Sequence, residues 1–112
     1  MEQLFQNNRR IFAGEVSKRL RTYEWDKEVA PGVTAISTPG HTPGHTSFVI
    51  AAGSGKVFVQ SDVTNNPALF VRHPGWHAVF DQIPQQAEAT RRKVYDMLVA
   101  EKLMVQGFHY PF

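Results

Sequence analysis

The 112 residues suffice for one small domain with a single core, and 42% hydrophobic against 20% charged residues is a globular balance rather than a disordered one. The absence of cysteine excludes a disulfide framework, a thiolate metal site and a thiol nucleophile, so any metal must be held by His, Asp or Glu. The net charge of +2 is small and the basic residues are scattered: Arg9, Arg10, Lys18, Arg19, Arg21, Arg91, Arg92 and Lys93 read as solvated helix faces, not as a nucleic-acid surface.

In chain order, Leu4, Phe5, Ile11, Phe12, Val16, Leu20 and Tyr23 fall near one stripe and predict a helix over residues 3–23, weakened at Gly14. EVAPG reads as a loop and Val33 to Ser37 as a short strand. TPGHTPG is too rich in Pro and Gly to be regular. SFVIAA and KVFVQ, separated by GSG, read as a hairpin, and SDVTNNP as the polar loop after it. Residues 67–84 look like an irregular excursion. Pro84 suits the first turn of a helix over about 85–102 whose core side carries Ala87, Val94, Leu98 and Tyr95. LMVQG closes as a strand before GFHYPF. Helix and strand mix without a regular parallel rhythm, which makes the chain α+β. No apolar run is long enough for a membrane span and the N-terminus lacks a signal core, so the expected location is cytoplasmic, without membrane or nucleic-acid partners.

His41, Asp62 and His109 each fall within a few residues of a predicted strand end, where loops carried on a rigid sheet build sites. In HTPGH, Pro43 and the flanking glycines forbid a helix, so His41 and His45 do not share a face as paired helical ligands do. One ring is free to bind a metal while the other orients a neighbour; turn or core histidines are the competing reading. Asp62, directly after an apolar strand, is either a functional carboxylate or the start of an Asx turn. Two imidazoles and one carboxylate are a donor set for Zn²⁺ or a similar ion. His73 and His77, in RHPGWH, read as loop or pocket-rim residues, and Phe70, Trp76 and Phe80 as core or pocket wall. No GxSxG and no phosphate-cradling GxxxxGK[ST] is present.

TPGHTPGHTSFVI, a strand ending in SD, and a later strand ending in a loop histidine together resemble the C-terminal half of a metallo-β-lactamase-fold hydrolase. RHPGWHAVFD, QAEATRRKVYDML and GFHYPF resemble the branch of methyl parathion hydrolases and quorum-quenching lactonases. The resemblance implies half of an αββα sandwich, a mostly antiparallel sheet with flanking helices, forming one truncated domain over residues 1–112. It implies His41, Asp62 and His109 as ligands of Zn²⁺ or another divalent metal, with Asp62 also catalytic, and His45, His73 and His77 in supporting or pocket positions. The HxHxDH motif of the family's first half is absent, so the site is partial, and occupancy ranges from partial to nil. The implied parent activity is metal-dependent hydrolysis of ester, lactone or phosphotriester bonds, weak or absent in this chain alone. The bare inner sheet face predicts a homodimer, or a complementary N-terminal half, completing the sandwich. Alternatives are an active hydrolase once so completed, acting on a small-molecule substrate, and a non-catalytic interaction module.

Overall fold

The computed structural model describes residues 2–111. Five strands form one sheet in sequence order: β1 (Glu28–Ala30), β2 (Val33–Ser37), β3 (Thr46–Ala52), β4 (Gly55–Val59) and β5 (Met104–Gln106). The first three pairings are antiparallel and β4 pairs with β5 in parallel. The hairpin follows from the sequence: β-branched and aromatic residues flank a two-residue loop in which Gly53 takes φ +58°.

Register decides which residues share a face, because side chains alternate along a strand. Thr34, Val49, Phe58 and Val105 form one row across four strands. Helix α3 (Pro84–Glu101) covers that side. Phe58, Val63 and Val94 form the core there, flanked by Ile36, Tyr95, Met97, Leu98 and Leu103. Pro84 opens α3 where its missing N–H costs nothing, and Lys102 ends it in a left-handed cap bonded to Leu98. The opposite row holds Val33, Ile50, Val57 and Met104, of which Ile50 and Met104 are exposed. Tyr23 stacks obliquely on Phe48 there, and the Trp25 indole N–H donates to Thr46 Oγ1 at 2.9 Å.

The structure departs from the sequence reading in four places. The predicted helix over 3–23 is a shorter α1 (Glu2–Ile11) followed by a 3₁₀ turn at Ser17–Arg19, and neither buries a residue. The apolar residues of α1 are all exposed, so no packing sustains the helix past Ile11. Residues read as the EVAPG loop supply β1, a three-residue edge strand held on β2 with a bulge. The excursion holds a short α2 (Pro67–Phe70), capped by Asn66. Arg91 is not on a solvated face: it is 1% exposed, on the stripe between Ala87 and Val94. Among the described residues no helix is long and apolar enough to cross a membrane.

Candidate active site

The loop after β2 is pinned at both ends. Thr38 N–H donates to His45 O, and Gly40 N–H and His45 N–H both donate to Thr42 O. Gln82 N–H then donates to His41 O (3.1 Å) and Ile83 N–H to Gly40 O (3.0 Å), so the loop is laced to the approach of α3. A side chain at position 40 would stand 2.2 Å from Ala87 N, with φ at +135°; this close approach requires glycine.

The lacing separates the two histidines by role. Their rings lie 5.9 Å apart at 78°, so they face different ways, as Pro43 implied. His45 is buried with both nitrogens engaged. Its Nε2 accepts the Asp62 backbone N–H (3.1 Å), so its proton sits on Nδ1, which donates to Thr38 O (2.9 Å). Thr38 Oγ1, Ser47 Oγ and Gln60 O continue that chain into the sheet at 2.9 and 3.1 Å. Burial pushes the His45 pKa below its usual value, outweighing the Thr38 carbonyl and the Asp62 charge that raise it. A neutral His45 without a spare lone pair orients Asp62 instead of binding a cation.

Asp62 follows Ser61, whose φ of +54° is a left-handed turn that swings the next N–H toward His45. The Asp62 carboxylate accepts from Ser61 Oγ (3.2 Å) and lies 2.8 Å from His109 Nε2. Asp81 Oδ1 lies 3.1 Å from His41 Nδ1. His41, Asp62 and His109 line one cavity of about 650 Å³, walled by Phe70, Val79 and Phe80. Asn65 also lines it, with a buried Oδ1 that has no partner among the described residues.

The structure therefore brings His41, Asp62 and His109 to one cavity and joins the last two directly. Among the described residues, however, no three His, Asp or Glu side chains are gathered as one metal ion requires. The donor chemistry fits a borderline divalent cation, two imidazoles and a carboxylate with lone pairs to offer; the number converging is short of a closed site. His73 and His77 do not line the cavity. His73 stacks on Trp76 at 4.3 Å, and His77 bonds Glu88 at 2.9 Å, both at the surface. Trp76 is likewise 51% exposed and not part of the wall. Sequence reasoning missed Asp81, Asn65 and Arg91. Only Arg91 left a trace, a charged residue on an otherwise apolar helical stripe.

A sheet with a helix on one face, a partly bare second face and a histidine–carboxylate cavity at the strand ends has the architecture of the C-terminal half of a metallo-β-lactamase-fold hydrolase. No protein-family model matches the chain. In sequence, it is 35% identical over 83 residues to an N-acyl homoserine lactonase of a Bacillus species, covering 73% of this chain and 32% of that one. It is 34% identical over the same length to N-acyl homoserine lactonase AiiA of Bacillus thuringiensis subsp. kurstaki, with the same coverage. In structure it is similar to AidC, a dizinc quorum-quenching lactonase, with a TM-score of 0.80 and 27% identity over 87% of this chain and 33% of that chain. The hydrolase AbOPH of the β-lactamase superfamily shares the fold, with a TM-score of 0.82 at 23% identity over 93% of this chain and 35% of that one. The chain spans about a third of the length of these relatives, and its resemblance is to the lactonase-like branch.

Proposed function

We propose that this chain is part of a metal-dependent hydrolase acting on ester, lactone or phosphotriester bonds, contributing one side of a metal centre and showing weak or no activity alone. The observation that supports this reading most is the meeting of His41, Asp62 and His109 in one apolar-walled cavity. A divalent metal, Zn²⁺ by preference for this donor set, supplies Lewis acidity and an acidified water when bound. The chain's own groups do the rest. Asp62, held by the His45 ring and by Ser61, presents a carboxylate to a water in the cavity and takes its proton. His41 and His109, the latter 2.8 Å from that carboxylate, would hold the metal together with Asp62. Phe70, Val79 and Phe80 receive the apolar part of a substrate and exclude water.

The missing ligands come from a complementary chain or a second copy, seated on the exposed sheet face and on the apolar residues of α1. A cytoplasmic setting suits this composition. The test is hydrolysis of lactones and aryl esters with and without added Zn²⁺. We expect zinc-dependent turnover that is lost in Asp62→Asn, at least when the complementary half is supplied. Turnover indifferent to zinc and to Asp62 would exclude the proposal.

A further inference from the structure

Asp81 and Arg91 take no part in the proposed chemistry, yet both side chains are 1% exposed and they are paired at 3.5 Å. We propose that Asp81, held by Arg91, is a positioning residue that fixes His41 with its proton on Nδ1 and its lone pair on Nε2. The inference deepens the hydrolase reading, since it rests on His41 being a site residue.

The geometry leaves little choice. Asp81 Oδ2 is occupied by the Ala78 N–H (3.3 Å) and by Arg91 Nη2, so Oδ1 is what remains for His41. An ionised carboxylate only accepts, so the His41 nitrogen facing it must be the donor. Arg91 cannot swing away. Its Nε donates to Val63 O (2.9 Å), its Nη1 to Pro74 O (2.9 Å) and Trp76 O (2.8 Å), and its guanidinium lies 4.6 Å from the Phe70 ring centroid. Neither can His41, because the main-chain bonds from Gln82 and Ile83 lock its loop against the segment that carries Asp81. His41 Nε2 has no hydrogen-bond partner among the described residues, and the ring lines the cavity. It is therefore the ring position open to a cation or to a substrate proton. Outer partners of this kind set ligand tautomer and basicity.

Asp81→Asn is the decisive variant. The amide has the same shape, but Arg91 and the Ala78 N–H both require its oxygen, which turns its NH₂ toward His41. His41 must then accept on Nδ1 and carry its proton on Nε2. Nitrogen–proton correlation spectra of the imidazole, recorded where His41 is neutral, distinguish the two forms. We expect Nδ1–H in the wild type and Nε2–H in the variant, with the backbone amide spectrum otherwise unchanged. A merely structural role for Asp81 would leave the tautomer alone, so Nδ1–H in a folded variant overturns the proposal. Nε2–H in the wild type overturns it even if the variant fails to fold. Zinc titration of the same samples separates this inference from the hydrolase reading. Zinc that perturbs His41 roughly tenfold or more weakly in the variant supports both. A wild type that takes no zinc, with or without its complementary half, yet shows Nδ1–H removes the hydrolase reading and leaves the positioning role standing.

Discussion

Single residues set the site's shape through the backbone as much as through their side chains. Gly40 is the sharpest case, because its φ of +135° and the 2.2 Å approach to Ala87 N exclude a side chain. Gly40→Ala should destabilise the protein by about 1–3 kcal/mol in denaturant unfolding. It should also loosen the two bonds that lace the loop to residues 82 and 83. An unfolding midpoint within error of wild type would contradict that geometry. Tyr95 makes a pH-dependent contribution. Burial raises its phenol above the ordinary value of 10.0, against the Thr64 hydroxyl that lowers it. The unfolded chain thus releases this proton first. Stability attributable to Tyr95 is complete below 10.0 and declines as pH rises toward the folded value. Tyr95→Phe should make the alkaline loss of stability shallower over that window, measured by unfolding at a series of pH values. An equally steep decline in Tyr95→Phe would show that another group is responsible.

At the scale of elements, α3 does two tasks with one stripe. Val94 and Leu98 pack on the sheet and Ala87 meets the loop at Gly40, while Arg91 reaches through the same face to tie down residues 63–76 and Asp81. Arg91→Met should cost about 3–5 kcal/mol, because it strands the buried Asp81 charge. Arg91→Met combined with Asp81→Asn should cost less than the sum of the two single changes, since the pair is coupled. Additive losses would mean that the two side chains act independently. The strand of residues 33–37, the hairpin and α3 were legible in the sequence because alternation, turn residues and an opening proline all pointed the same way. Strand β1 was not, since three residues beside Pro31 and Gly32 carry no period. Helix α1 was read too long, because an apolar stripe shows that a surface wants covering and not that a cover exists. The His41 and His45 assignments were half legible: Pro43 ruled out a shared face, but only the fold shows which ring is enclosed. Asp81 was invisible, because its partner lies 40 positions away and is met only when α3 docks.

For the whole molecule, the unevenly covered sheet is the dominant fact. One face is closed by α3. The other leaves Ile50 and Met104 exposed, and Leu4, Phe5 and Ile11 of α1, with Phe12 just after it, add to the uncovered apolar surface. Exposed apolar surface of this kind drives association. Light scattering at micromolar concentration should report a homodimer, or a complex once a complementary half is supplied. A monodisperse monomer under both conditions would contradict this. On the proposed function, His41, Asp62 and His109 serve one metal-binding cavity. The most direct test is zinc content at equilibrium for the wild type and for His41→Ala, Asp62→Ala and His109→Ala, each with and without the complementary half. We expect the wild type to retain zinc and every one of the three substitutions to lower it. Zinc that is absent throughout, or indifferent to all three changes, would contradict it.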